Sequence, residues 1–250
     1  MYGGPVLMVG PGASSDPELL RATIAMLKRN GFTDVYFHAT DERAGDELRA
    51  ERPLFKRAHG AGGKVFVACF GDAYEIIGDL FDLPIVMGLD PAMAEAFHAA
   101  GQLVGCYGNP QGGVEEPETY RRQYGLRLWK AGYDCACTFA YEGGTWDDYD
   151  NTLLRDLNMT YPTVNGVIPT LQWEGYREGQ DDLRYLATLQ NLIDKARFLD
   201  GAAGEKVRAA ELWVYRMDPD PDGTPLDDIR AGIIERIIAI RQAIQRRPVP

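Results

Sequence analysis

Cysteine and histidine are scarce in this chain, and apolar residues never form a long uninterrupted run. The 250 residues include four cysteines and three histidines. The cysteines lie in apolar, strand-like runs without a Cys-x-x-Cys pair, so we expect reduced, buried thiols and no metal site. Cys135 and Cys137 would share one face of a strand but are poorly placed to form a disulfide. We also expect no membrane span, because a spanning helix needs roughly 20 consecutive apolar residues.

Basic side chains are outnumbered by acidic ones. The chain carries 26 basic and 37 acidic residues, which gives a net charge of -11. This balance argues against a nucleic-acid backbone or an anionic membrane surface as the main partner. An apolar fraction of 45% excludes a mainly disordered chain, and the length suits one large α/β domain. The first residues lack the basic and apolar segments of a signal peptide, and the sequence leaves the compartment and the oligomeric state open.

Short apolar runs typical of strands alternate with helical segments along most of the chain. Strands that are apolar on both faces are typical of a parallel sheet joined by right-handed crossovers. The predicted strands cover residues 34–40, 64–70, 83–89, 103–107, 135–141 and 166–173. The predicted helices cover residues 18–30, 45–60, 73–80, 91–101, 116–132, 181–198 and 225–247, and the last two close the chain.

The alternation of strands and helices predicts a (β/α)8 barrel of the TIM type, although the number of strands falls short. A complete barrel needs further strands before the one that begins at residue 34, and few residues precede it. Residues 4–10 could supply part of one. The sheet is therefore either open or part of a barrel whose first strands are missing.

The dipeptide Asp41-Glu42 directly follows the predicted strand 34–40. Carboxylates in that position lie at the C-terminal rim of a β/α barrel, where barrel enzymes hold their catalytic groups. Two adjacent carboxylates repel each other, which in a cleft favours one protonated and one ionised group, as glycosidic chemistry requires. The alternative is a solvated pair whose charges suit the N-terminus of the next helix.

Residues 169–185, PTLQWEGYREGQDDLRY, carry the most specific pattern in the chain. The Trp-Glu, the Arg-Glu-Gly and the Asp-Asp before a Tyr-Leu helix resemble the catalytic barrel of family-123-type glycoside hydrolases and their relatives. Those barrels also have an adjacent Asp-Glu after strand four, and here the acidic pair lies about 130 residues upstream. The resemblance covers residues 17–198 and barrel strands four to eight. Arg43 departs from the pattern, because Pro follows the acidic pair in many members.

This resemblance implies a single catalytic barrel over residues 1–250 that hydrolyses β-linked N-acetylhexosamines without a metal or organic cofactor. Its mechanism would be substrate-assisted and retaining, with the 2-acetamido oxygen of the sugar attacking its own anomeric carbon. By position, Asp41 would orient and polarise the acetamido group. Glu42 would be the general acid and then the general base.

Aromatic, amide and carboxylate side chains at other predicted strand ends are candidates for binding the carbohydrate. Aromatic faces can stack on a pyranose ring, and amides and carboxylates can bond its hydroxyls. The alternatives are an Asn-Pro turn, a flexible acidic loop and, around residues 174–178, an ion-pair network. The candidates are Tyr107, Asn109, Tyr141, Trp146, Trp173 and Glu174.

Two other functions are compatible with the same sequence. A carbohydrate-binding or structural barrel could keep this fold without catalysis, since a fold does not guarantee an activity. A barrel hydrolase could instead act on hexosides that lack the 2-acetamido group. All three hypotheses predict that the residues at the strand ends share one edge of a parallel sheet.

Overall fold

The computed structural model describes residues 6–9, 16–108, 116–138, 140–142 and 158–245. The chain forms two compact units, the first from residues 1–111 and 131–139 and the second from residues 112–130 and 140–250. The first unit contains a parallel sheet with its crossover helices. The second is mostly helical and contains a small β-hairpin.

The sheet of the first unit has six strands, and each pairs in parallel with its neighbours in the sequence. A curled sheet with this order confirms the α/β class and is the arrangement from which β/α barrels are built. In the described part of the chain it has six parallel strands where a complete barrel has eight. The strands are β1 Val6–Val9, β2 Asp34–His38, β3 Lys64–Cys69, β4 Leu83–Met87, β5 Gly105–Tyr107 and β6 Cys135–Ala136.

Two helices of the first unit, α1 and α5, begin at an aspartate cap followed by proline. Asp16 accepts a hydrogen bond from the amide of Glu18, and Asp90 accepts one from the amide of Ala92. The single helix predicted over 45–60 is two helices, because Pro53 lacks the amide hydrogen that would continue the first. The helices are α1 Pro17–Arg29, α2 Gly45–Ala50, α3 Arg52–Gly60, α4 Ala73–Ile77 with a following 3-10 turn Gly78–Leu80, and α5 Pro91–Ala99.

Both faces of the sheet are packed with apolar side chains. On the outer face, the ring of Phe81 packs between those of Phe55 and Phe97, with ring centroids 5.7 and 6.3 Å apart. This aromatic contact joins α3 and α5 to the chain that enters β4. The inner face is formed by Tyr36, Phe66, Ala68, Leu83, Ile85, Leu103, Tyr107, Cys135 and Cys137.

An aspartate just before β4 ties together a helix end and two strand starts. The carboxylate of Asp82 accepts hydrogen bonds from His59 Nε2 and from the amide of Val65, both at 2.7 Å. His59 lies in the last turn of α3, and Val65 lies in β3. These bonds fix the N-terminal edge of the sheet.

The same arrangement recurs two strands further along. Asp134, just before β6, accepts from His98 Nε2 at 2.8 Å and from the amide of Val104 at 2.9 Å. His98 lies in the last turn of α5. In both cases the sequence reads His-x-x-Gly-x-x-Val, a short internal repeat that the sequence analysis missed.

In the residues that the structure describes, the second unit contains five helices and one hairpin. Its strands β7 and β8 pair only with each other and are antiparallel. Among the helices described here, none is long and apolar enough to cross a membrane. The elements are α6 Pro117–Gln123, α7 Leu126–Lys130, β7 Thr160–Thr163, β8 Gly166–Pro169, α8 Leu171–Ala196, α9 Gly201–Arg216 and α10 Leu226–Gln245.

The prediction of a last parallel strand over residues 166–173 is wrong. Only Gly166–Pro169 is extended, and it closes the hairpin with β7. Thr170 then accepts a hydrogen bond from the amide of Trp173 and caps α8, so this helix begins at residue 171 and not at 181. The prediction also missed α9. The final helix ends at Gln245, close to the predicted boundary.

Glycines allow α6 and α8 to approach each other closely. A Cβ atom at position 175 would lie 2.1 Å from the carbonyl oxygen of Pro117, and one at position 179 would lie 2.6 Å from that of Arg121. Any larger residue would force the two helices apart. On the rest of α8, Leu186, Leu189 and Ile193 pack in one apolar core with residues of α9 and α10.

A fully buried carboxylate joins three helices of this unit. Asp182 on α8 has no exposed surface, and it accepts hydrogen bonds from Arg121 on α6 and Arg230 on α10. Each arginine has a second acidic partner nearer the surface. Arg121 bonds Asp227 at 2.6 Å, and Arg230 bonds Glu178 at 2.7 Å. The buried charge is therefore compensated by hydrogen-bonded cations from two directions.

We predict that His59 stabilises the fold more at low pH than at high pH. The hydrogen bond with Asp82 raises the pKa of His59, so its contribution is complete below the unfolded value of about 6.5 and is lost as the pH rises through the folded value. Urea unfolding of wild type and His59→Gln should show a larger difference at about pH 5.5 than at about pH 9. In an Asp82→Asn background this pH dependence should vanish. A difference that grows with pH would contradict the prediction.

Two aspartates that share Arg121 should differ in their effect on stability. Asp182→Asn should cost about 3 kcal/mol of unfolding free energy, because it removes the buried partner of two guanidinium groups. Asp227→Asn is the matched control, since its side chain is 85% exposed and an exposed ion pair contributes less than about 1 kcal/mol. Denaturant unfolding measures both. Equal losses would mean that burial does not set the strength of this network.

Candidate functional site

The acidic pair Asp41-Glu42 lies at the C-terminal edge of the parallel sheet. Beyond the end of β2 the chain continues alongside β3, where the amide of Ala39 donates to Phe66 and that of Glu42 donates to Ala68 at 2.8 Å. Both acidic side chains are exposed. The pair therefore belongs to a turn that backbone hydrogen bonds fix against the neighbouring strand.

The carboxylate of Asp41 is held by two hydrogen bonds on the same oxygen atom. His38 Nε2 lies 2.8 Å from Asp41 Oδ1, and the amide of Ala68 lies 2.9 Å from it. Within the described part of the chain, Oδ2 accepts no hydrogen bond. One oxygen thus fixes the orientation of the group and the other can receive a donor from a ligand. The sequence analysis missed His38, although a histidine three residues before an acid at a strand end is a usable signal.

Glu42 is held by a side chain from a strand that is not adjacent to β2. The hydroxyl of Tyr107 donates to Glu42 Oε1 at 2.6 Å. Tyr107 ends β5, and two strands separate β5 from β2. In a flat sheet the two strands would be about 14 Å apart, so the bond depends on the curl that turns their ends toward each other.

Tyr107 is suited to remain a hydrogen-bond donor. Burial raises the pKa of its hydroxyl, and the hydrogen bond with Glu42 raises it further. The hydroxyl is therefore neutral throughout the physiological range. The structure brings together two of the residues predicted from the sequence, Glu42 and Tyr107, which lie 65 positions apart.

Glu42 has a strained backbone. Its φ angle is 58°, and it is the only residue other than glycine in the described ranges with a positive φ. A side chain in this left-handed region costs roughly 1–2 kcal/mol. Such strain is often found at functional sites, where the surrounding structure holds a side chain in a required direction.

The other described candidates belong to the second unit. Tyr141 is 49% exposed, and its ring packs edge-on against that of Trp173 with centroids 5.2 Å apart. Trp173 in turn stacks on Tyr176 at 5.7 Å with the rings nearly parallel. These residues form a short row of aromatic rings that reaches the surface. Asn109 and Trp146 lie outside the described residues.

The sequence predicted that Trp173 and Glu174 end a strand, and this prediction is wrong. They lie in the first turn of α8, because the hairpin ends at Pro169 and Thr170 caps the helix. Glu174 forms an exposed ion pair with Arg177 at 2.6 Å. Among the described residues, Arg177 pairs only with Glu174, and Glu178 pairs with Arg230, so the ion-pair network considered for residues 174–178 is divided between two arginines.

Much of the segment that resembles glycoside hydrolases has a packing role in this structure. Gly175 and Gly179 allow the close approach of α6, and Asp182 is the buried member of the arginine network. These packing contacts account for two glycines and an aspartate of the pattern, so the pattern by itself does not indicate a catalytic role. Of the two elements of the resemblance, the acidic pair is the one that lies at the C-terminal edge of the parallel sheet.

No family model matches this chain, and no curated protein matches it. The truncated form of 3-deoxy-D-arabino-heptulosonate 7-phosphate synthase from Thermotoga maritima is similar over 61% of this chain, with 14% identity and a TM-score of 0.36. This chain spans 56% of the length of that one. FabK from Thermotoga maritima is similar over 95% of this chain and 86% of its own, with 13% identity and a TM-score of 0.31. The site is therefore interpreted from its own geometry.

Replacing Glu42 by glycine should leave the protein more stable than replacing it by alanine. Glycine adopts a positive φ without the clash of a Cβ atom, so we expect a difference of about 1 kcal/mol in unfolding free energy. Both substitutions remove the same hydrogen bond to Tyr107, and the comparison therefore isolates the backbone. Urea denaturation at one pH measures it. Identical stabilities would show that residue 42 is not held in the left-handed conformation.

Proposed function

We propose that this protein is a glycoside hydrolase with a (β/α)8-type scaffold that cleaves β-linked N-acetylhexosamines by a substrate-assisted, retaining mechanism. The observation that supports it best is the pair of adjacent carboxylates at the C-terminal edge of the sheet, each held by different donors. Asp41 is fixed by His38 and the amide of Ala68, and Glu42 is fixed by Tyr107. Two neighbouring carboxylates in different environments suit two different tasks.

Asp41 would bind the 2-acetamido group. When the acetamido oxygen attacks the anomeric carbon, positive charge develops on the amide, and its N–H becomes a stronger donor. Oδ2 of Asp41 can accept that hydrogen bond while the bonds to Oδ1 keep the carboxylate in place. An acceptor that is oriented in advance stabilises the transition state without reorganisation.

Glu42 would give its proton to the glycosidic oxygen and later take one from water. As the proton leaves, the carboxyl group becomes a carboxylate, and the hydroxyl of Tyr107 donates to it. A hydrogen bond to a charged acceptor is stronger than one to a neutral acceptor, so Tyr107 favours the transfer. In this mechanism the sugar supplies the nucleophile, and the two carboxylates need not lie on opposite sides of the ring.

The aromatic row of the second unit offers a surface of the kind that stacks on sugar rings. Tyr141 is its exposed member and Trp173 supports it. Together with Asn109, Trp146 and Glu174, these residues remain predictions from the sequence for binding the carbohydrate. No step of the proposed chemistry requires a metal or an organic cofactor.

Three substitutions test the mechanism on aryl N-acetyl-β-hexosaminides with good and poor leaving groups. Glu42→Gln should lower turnover of the poor leaving group by about 10²–10⁴-fold and affect the good one less, because only the poor one needs the proton. Asp41→Asn should lower both, because the acetamido nucleophile loses its negative partner. Tyr107→Phe, at a positioning residue, should lower kcat for the poor leaving group by about tenfold or more with little change in KM.

Matched substrates without the 2-acetamido group distinguish the alternatives. We expect no turnover of them by the wild-type protein. Equal turnover of both substrate types, or a wild-type rate for Asp41→Asn, would exclude substrate assistance and favour a hydrolase of unmodified hexosides. Carbohydrate binding without any turnover would favour a barrel that has lost catalysis.

A further inference from the structure

The thiols of Cys135 and Cys137 lie side by side on the inner face of the sheet. Their Sγ atoms are 4.0 Å apart, and both residues are half-buried. The other two cysteines, Cys69 and Cys106, are fully buried. Cys135 and Cys137 therefore combine a short sulfur–sulfur distance with partial exposure to solvent. The proposed hydrolysis does not use them.

A glycine on the neighbouring strand makes room for this pair. Gly105 of β5 is the registered partner of Cys135. A Cβ atom at position 105 would lie 2.6 Å from Cys135 Sγ and 2.3 Å from Cδ1 of Ile85. The space beside the thiols therefore exists because position 105 has no side chain.

The backbone geometry of the pair opposes a disulfide. The amide of Cys137 donates to the carbonyl of Cys106 at 2.8 Å, so the chain remains extended and paired with β5 through Cys137. In an extended strand, the Cα atoms of residues i and i+2 lie about 6.6 Å apart, and so do their Cβ atoms, which share one face. A disulfide requires Cβ atoms about 3.5–4.5 Å apart. Oxidation would have to bend the strand, and the dithiol form is the one that fits the sheet.

The same geometry suits a single metal ion held between the two sulfurs. With metal–sulfur bonds of roughly 2.3 Å, thiolates 4.0 Å apart subtend about 120° at the metal, and an opening to about 4.6 Å would make the arrangement linear. In the part of the chain that the structure describes, no group of three or more potential ligands could hold a metal. Zinc normally takes four ligands, whereas soft monovalent ions accept two thiolates.

We propose that Cys135 and Cys137 chelate one soft, monovalent metal ion of the Cu(I) type. On binding, the two S–H bonds break, two metal–sulfur bonds form, and both protons pass to solvent, without any transfer of electrons. The site is independent of the proposed hydrolysis. It lies in the same inner-face cluster as Tyr107.

Anaerobic titration with Cu(I) in competition with a coloured Cu(I) chelator tests this site in the full chain. Wild type should bind one equivalent with high affinity. Cys135→Ala and Cys137→Ala should each weaken binding by about 10²-fold or more, because a single remaining thiol loses the chelate effect. Cys69→Ala and Cys106→Ala are matched controls that keep the pair, and their affinity should be that of wild type.

Circular dichroism of each variant before the titration establishes that it is folded. Cys137 lies beyond the end of β6, so Cys137→Ala and Cys137→Ser provide two independent variants if Cys135→Ala does not fold. Wild-type affinity in a folded Cys137 variant would overturn the proposal. The same would follow if a folded Cys106→Ala lost as much affinity as Cys137→Ala, since Cys135 and Cys137 alone would then not form the site.

Discussion

The parallel pairing of each strand with its neighbours in the sequence is the constraint on which the first unit depends. It gives every crossover the same sense, and the curl that follows brings the end of β5 within reach of the end of β2. The hydrogen bond from Tyr107 to Glu42 is the direct result, because it joins residues whose strands are not adjacent. Without the curl the acidic pair would be an ordinary exposed turn.

Carboxylates are held in similar ways at the two edges of this sheet. At the N-terminal edge, one oxygen of Asp82 and one of Asp134 each accept hydrogen bonds from a histidine and a backbone amide, which ties strands and helices together. At the C-terminal edge, one oxygen of Asp41 accepts from a histidine and a backbone amide in the same way. Glu42 differs from these three aspartates, because its partner is the hydroxyl of Tyr107 on a strand that is not adjacent.

The sequence predicted β2 to β5 and the position of the acidic pair, because buried parallel strands are short apolar runs bounded by glycine and helix caps. It failed at residues 166–173, where the apolar run GVIPTLQW was read as one strand. Nothing local shows that Thr170 begins a helix, since Gly175 and Gly179 weaken the helical pattern and are explained only by contact with α6. The positive φ of Glu42 and its bond to Tyr107 depend on distant parts of the chain, which no local pattern reveals.

The second unit takes part of its structure from the chain between β5 and β6. Residues 112–130 belong to it, although the first unit resumes at residue 131. During synthesis, Tyr124 of that early segment cannot accept its hydrogen bond from Gln180 on α8 until a further 56 residues have been added. At about 5–20 residues per second this delay lasts about 3–11 seconds. Until then the ring of Tyr124 lacks the ring of Tyr176 on α8 that packs against it, and a nascent chain with such exposed surface is prone to aggregate.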